Sequence, residues 1–244
     1  MADLVSQIQN VELQFRERLI LKDFSLVLKP NTVHVLMGPS GCGKSTVLRL
    51  FAGLLRANSG TIQLPEKSVS MVFQEPRLLP WLSVRENILL PLKLKSGKAG
   101  SPEKASAPWL QAVNLADSAD LFPHQLSGGM KMRAAIARAM ITSPQLLLLD
   151  EPFAALDEIQ RANLQKLLLE IQTRDQLTIL FVTHSLVEAC QIADELHLMD
   201  GKHGKIRETL VRPEGQINFA QLLAAWSEEY KQVMQVQSAA EAIA

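Results

Sequence analysis

The chain has 244 residues, of which 25 are basic and 25 acidic, and 47% are hydrophobic. That is enough for one large domain, or two small ones packed together, around a substantial core. The balanced charge leaves no electrostatic footprint for nucleic acid or a general anionic surface, and two cysteines, Cys42 and Cys190, make no disulfide framework and suit a reducing compartment.

The opening MADLVSQIQN lacks a basic region followed by an apolar stretch, so no secretory leader is expected. No apolar run approaches bilayer-spanning length; 146–149 and 178–182 are strand-length. The expectation is a chain soluble on its own that meets a membrane only through a partner.

Short apolar, β-branched runs alternate with helical patterns, which points to an α/β domain with a largely parallel sheet. Residues 33–37 read as a buried strand. Residues 44–52 follow as a helix with Val47, Leu48, Leu50 and Phe51 on its apolar side. Residues 69–73 read as the next strand. From 83 to 116 no strand is expected. Ser83 with Glu86 three residues on makes a capping box, followed by Ile88, Leu89, Leu90, Leu92 and Leu94. Residues 95–101 read as a loop, and Ser101-Pro102 as the N-cap and first position of another helix. A helical pattern covers 130–140. Strands at 145–149 and 178–182 are each followed by a helix, at 158–172 and 186–193. After Lys205 the pattern weakens to a strand and a last amphipathic helix around 219–236, with a frayed end at 239–244.

Three stretches carry chemistry. Gly38-Pro39-Ser40-Gly41-Cys42-Gly43-Lys44-Ser45 fits G-x-x-x-x-G-K-S between a strand and a helix. Its glycines let backbone N–H groups wrap phosphate oxygens, and the helix start adds its positive dipole end. Lys44 is placed to neutralise the β and γ phosphates, and Ser45, followed by Thr46, offers Mg²⁺ a hydroxyl. Alone, this motif fits a kinase, a GTPase or an ATPase. Second, the run 146–149 ends in Asp150-Glu151, at the carboxyl edge of a buried strand where such sheets bind ligands. Adjacent side chains point to opposite faces, so Asp150 can hold Mg²⁺ while Glu151 polarises an attacking water. Third, Leu126-Ser127-Gly128-Gly129 opens a helix and makes a second anion site; by itself it is an ordinary N-cap with flexible glycines.

In this order the three stretches resemble the ATP-binding subunits of ABC transporters, over about residues 8 to 210. The resemblance implies a P-loop NTPase core with a mainly parallel sheet, a small antiparallel β portion and an inserted helical subdomain. It implies a nucleotide-binding core at about 1–75 and 135–210, the helical subdomain at 76–134 and a C-terminal helical tail at 211–244. Gln74 resembles the Q-loop glutamine, 154–157 with Asp157 the D-loop, and His184 the switch histidine. Phe15 stands where the family stacks an aromatic ring, often tyrosine, on adenine. Met130 replaces the usual glutamine after the signature, beyond the glycines that face phosphate. Two subunits are then expected head to tail, each ATP lying between residues 38–46 of one copy and Ser127, Gly128 and Gly129 of the other. Mg²⁺ is expected on Ser45, Gln74 and Asp150, and catalysis on Glu151 and His184.

Residues 72–82 and 123–130 look most like the nitrate/sulfonate/taurine-type importers. That group implies permease subunits, an extracytoplasmic substrate-binding protein, and a peripheral place on the cytoplasmic face of the inner membrane; no nucleic-acid partner is expected. Leu78, Leu79 and Trp81 suit either packing inside the helical subdomain or a groove for a permease helix. A chromosome or repair ATPase would insert a long coiled coil between Lys44 and Ser127, where only residues 45–126 lie. A translation-type ATPase carries two motif sets, a kinase or GTPase does not need Leu126-Ser127-Gly128-Gly129 or His184, and a non-hydrolysing module should lack Glu151.

Overall fold

The computed structural model describes residues 6–16, 18–65, 69–96, 102–201 and 204–212. The helix expected around 219–236, the frayed end at 239–244 and the helix cap Ser101 lie outside the described residues. The elements run β1 (Ser6–Phe15), β2 (Arg18–Leu28), β3 (Val33–Met37), α1 (Lys44–Phe51), β4 (Ser59–Gln63), β5 (Val69–Val72), α2 (Val84–Ser96), α3 (Pro102–Ala112) and α4 (Gly128–Met140). They continue as β6 (Leu146–Asp150), α5 (Glu158–Asp175), β7 (Thr178–Val182), α6 (Leu186–Ile192), β8 (Glu195–Met199) and β9 (Ile206–Val211). Two compact units divide the chain: 1–64 with 180–244, and 65–179.

In the first unit β1 is flanked by β2 and β4, both antiparallel to it. Ile8, Val11 and Leu13 of β1 and Leu21, Phe24, Leu26 and Leu28 of β2 are buried. The spacing slips from two to three residues in each strand, and the register of the pair shifts around Val11. Asn10 and Asp23 take positive φ there, 48° and 50°. These are the marks of bulges, which leave an extra residue unpaired and bend the strand. The same unit holds the end of β7, then β3, β8 and β9 in that order. β3 and β8 are parallel, with His34 opposite Glu195 and Met37 opposite Leu198, and β9 closes the edge antiparallel to β8. Every residue of β3 and β8 is buried, as in a sheet covered on both faces.

In the second unit β5 and β6 are parallel, Val69 opposite Leu146 and Val72 opposite Leu149. Helices α2, α3 and α4 bury a common cluster that includes Val84, Ile88, Leu110, Val113, Ala134 and Ala137. The capping box forms as expected: Ser83 N donates to Glu86 Oε2 (2.9 Å) and Glu86 N to Ser83 Oγ (3.2 Å). Helix α5 runs three residues past its expected end and stops where Gln176 turns left-handed (φ 48°), a conformation that closes many helices. Parallel pairs with an antiparallel portion and a helical group make up the expected fold class.

Candidate functional site

In the first unit, β3 feeds the loop 38–43 and α1 begins at Lys44. Gly41 (φ 77°) and Gly43 (φ 111°) hold backbone conformations that a Cβ disfavours. Cys42 N donates to Pro39 O (3.3 Å), closing the loop on itself. Gly38 tolerates no side chain, because a Cβ would stand 2.7 Å from Cys42 Sγ and 3.0 Å from Met199 Cβ. Lys44 is buried and arches back over the loop, its Nζ donating to Gly38 O (2.7 Å) and Pro39 O (2.9 Å). The N-cap of α1 is Gly43, so no side chain caps the first turn. Its dipole and amide edge therefore face the loop. Burial pushes the Cys42 thiol up, against the pull of the neighbouring Lys44 charge.

Phe15 ends β1 with 46% of its surface exposed, so its ring is open to stacking. His184 is exposed, but its neighbours are fixed. Thr183 N donates to Leu36 O (3.4 Å) and Thr183 Oγ1 to Glu188 Oε2 (2.5 Å), while Ser185 caps α6 by accepting from Glu188 N (3.3 Å). β7 and β3 are neighbours, so His184 and the loop 38–43 open at the same carboxyl edge.

In the second unit, the register of β5 and β6 brings the residues after Val72 and Leu149 to one edge. Gln74 is exposed there; Asp150 closes β6, half-buried. Glu151 takes the left-handed conformation (φ 46°), which costs a residue with a Cβ about 1–2 kcal/mol. The turn that follows is anchored by Phe153, fully buried, and by Ala154 N donating to Glu151 O (3.3 Å). Asp157 caps α5, accepting from Gln160 N (2.8 Å). Ser127 caps α4 from Met130 N (3.3 Å). Gly128 faces Leu156, and a Cβ on Gly129 would meet Gln160 Oε1 at 2.6 Å. The start of α4 and the segment 156–160 are therefore one packed feature.

The candidates thus sort by unit: Phe15, residues 38–46 and His184 in the first, and Gln74, Ser127, Gly128, Gly129, Asp150, Glu151 and Asp157 in the second. Arg138 of α4 was not singled out by the sequence. Its guanidinium donates to Pro76 O and Arg77 O (2.8 Å each), and the Arg77 guanidinium lies 4.1 Å over the Phe73 ring. Backbone carbonyls leave no mark in a sequence, so no signal pointed to this tie. Asn87 is fully buried and clamps the segment before it: Oδ1 accepts from Leu79 N (2.8 Å), and Nδ2 donates to the carbonyls of Leu79, Leu82 and Ser83 at 3.0–3.1 Å. On that clamped segment Leu78 packs against the helical cluster, whereas Trp81 is 69% exposed. Among the described residues no helix is long and apolar enough to cross a membrane.

The "ABC transporter" family model matches residues 21–154. The aliphatic sulfonates import ATP-binding protein SsuB 1 of Pseudomonas savastanoi pv. phaseolicola is 42% identical over 196 residues, covering 80% of this chain and 81% of that one. The corresponding SsuB of Bacillus subtilis is 39% identical over 202 residues, covering 80% and 78%. Among solved structures, the dimeric bacterial ABC transporter cassette MJ0796 matches with a TM-score of 0.74 at 29% identity, over 86% of this chain and 100% of that one. A post-hydrolysis state of the same cassette, bound to ADP and Pi, matches with the same TM-score at 30% identity.

Proposed function

Because the chain belongs to the ABC transporter family, we infer that it is the ATP-binding and ATP-hydrolysing subunit that energises a transporter whose membrane-spanning part lies on other chains. The observation that carries this reading is likeness along four fifths of the chain to proteins named for aliphatic sulfonate import. Those names support import of a small anion of the sulfonate class; the same reading takes in an extracytoplasmic substrate-binding protein and a place on the cytoplasmic face of the membrane. The likeness to a dimeric cassette supports pairing with a second copy.

Within that reading, residues 38–46 cradle the ATP phosphates. Lys44, held on two loop carbonyls, exchanges them for phosphate oxygens. Phe15 stacks on the base. Ser127, Gly128 and Gly129 cover the γ-phosphate of the ATP held by the partner copy, so hydrolysis removes a bridging contact and the pair opens. Ser45, Gln74 and Asp150 all offer oxygen donors, the set a hard cation such as Mg²⁺ selects. Mg²⁺, when bound, neutralises charge on the β and γ phosphates. Glu151 polarises the attacking water, His184 orients it against the γ-phosphate, and Asp157 shapes the turn after Glu151. Residues 76–134 form the helical subdomain that meets the permease. Trp81, exposed on the segment that Asn87 clamps, supplies an apolar anchor for a permease helix.

The test is affinity purification of the chain from its native membranes in mild detergent. A polytopic membrane protein is expected in the eluate, and its companion binding protein identifies the cargo. If only soluble proteins, ribosomes or DNA come down, the transport reading falls while the ATPase reading stands.

A further inference from the structure

The first unit carries a polar cluster that the ATP chemistry does not use. His34 of β3 and Glu195 and His197 of β8 project from paired strands, with His34 directly opposite Glu195. All three are buried. His34 Nδ1 lies 3.0 Å from His197 Nε2 and 3.5 Å from Glu195 Oε2, and His197 Nε2 lies 3.9 Å from Glu195 Oε2. Atoms at those separations share a point about 2.0 Å from each, the length of a zinc–nitrogen or zinc–carboxylate bond.

The atoms behind these donors are also partnered. His34 Nε2 lies 3.2 Å from Lys29 O. A carbonyl only accepts, so Nε2 carries the proton and Nδ1 keeps its lone pair free for the cluster. His197 Nδ1 lies 3.0 Å from Thr209 Oγ1, and Glu195 Oε1 takes Lys29 Nζ. Imidazoles whose far nitrogen bonds a carbonyl or hydroxyl, beside a carboxylate whose second oxygen is held, are the arrangement that orients metal ligands. Burial pushes both imidazoles down, His197 to about 3, with the His34 and Lys29 charges adding to the effect on His197.

We propose that His34 Nδ1, His197 Nε2 and Glu195 Oε2 form a structural site for one zinc-like divalent ion that pins β3 to β8. Without the ion, His197 Nε2–H donates to His34 Nδ1. With it, that proton moves to Nδ1, the Thr209 hydroxyl turns to accept it, and no proton leaves the pair. The ion enters past Lys29, whose side chain is 61% exposed. β3 leads into Gly38, and β8 ends in Met199 against that glycine. The site thus holds the register at the opposite end of the two strands from the phosphate loop.

The test titrates the full-length, chelator-stripped and nucleotide-free chain with Co²⁺ and then Zn²⁺ at neutral pH. One Co²⁺ per chain is expected, with the visible ligand-field absorption of an N/O site, displaced by Zn²⁺, and Zn²⁺ raises the melting temperature. Glu195→Gln and His197→Asn abolish the absorption. Thr209→Val, which leaves all three donors and the fold in place, weakens binding about 10–100-fold. Absence of the absorption in the unsubstituted chain, its persistence unchanged in Glu195→Gln, unweakened binding in Thr209→Val, or thiolate charge-transfer bands that place the ion on Cys42 or Cys190 would each overturn the proposal.

Discussion

Gln160 of α5 lies across Gly129 of α4, close enough that a Cβ on the glycine would stand 2.6 Å from its Oε1. The atom in the way is the far end of a flexible side chain, so Gly129→Ala folds. Alanine gains up to about 1 kcal/mol over glycine in a helix, which offsets the displaced glutamine. Stability should therefore stay within about 1 kcal/mol of the unsubstituted chain in urea unfolding. ATP turnover should fall about 10²-fold, because the added methyl holds the α4 amides away from phosphate. Gly129→Ala with Gln160→Ala removes the clash but should not restore turnover. Restoration would assign the loss to packing rather than to phosphate contact.

Glu151→Gln keeps the size and the left-handed backbone of the residue after β6 but removes the base. It should bind ATP, hydrolyse it at least about 10²-fold more slowly, and accumulate as an ATP-bound dimer in size-exclusion chromatography. Near-normal turnover would remove Glu151 from the reaction.

Asn87→Ala strips four hydrogen bonds from the segment 79–83. Ser83 O and Leu79 O keep the backbone donors Asn87 N and Leu82 N, but part-buried Leu79 N and Leu82 O lose their side-chain partner. At about 1 kcal/mol or more for each group stranded, a loss of about 2–4 kcal/mol is expected in denaturant unfolding. Asn87→Asp replaces a donor that faces three carbonyl oxygens with a carboxylate. Burial raises the pKa of such a group, so its protonated form, which still donates, prevails at lower pH. The defect in Asn87→Asp should therefore deepen as pH rises.

Cys42 sits inside the phosphate loop with its thiol pushed above the ordinary value of 9.0 by burial. Only the thiolate reacts with alkylating agents. Iodoacetamide should leave Cys42 unmodified in the native chain at neutral pH and label it after denaturation, as read by mass spectrometry of its peptide. Rapid native labelling near pH 7 would contradict the packing seen between Cys42 and Gly38.

Local chemistry was readable in the sequence wherever partners are close in the chain. The strand–glycine loop–helix around Lys44 and the Ser83–Glu86 box both appear at their expected positions. Strands β1, β2, β4 and β8 were not located. In β1 and β2 the bulges at Asn10 and Asp23 break the two-residue alternation that identifies a half-buried strand. β8 reads Glu195-Leu196-His197-Leu198-Met199, its polar residues buried along with its apolar ones, and at five residues it is too short for its alternation to stand out. Of the site candidates, Asp150 and Glu151 could be placed at a strand end from the sequence because β6 closes at Asp150; the backbone conformation that sets Glu151 apart could not be read there. The His34–Glu195–His197 cluster was invisible for a different reason. Its members are brought together by the pairing of β3 with β8, and nothing local to any of them signals the other two.

Arg138 gives α4 a mechanical character. Its guanidinium is bolted to the carbonyls of Pro76 and Arg77, just past Gln74. Gly129 lies nine residues nearer the start of the same helix, about 14 Å away at 1.5 Å per residue. A helix with its backbone bonds intact hardly stretches, so α4 is built as a push-rod. Any displacement of the chain beside Gln74 would reach the glycines with little lost on the way, and a glycine or proline placed mid-helix would act as a slipped clutch.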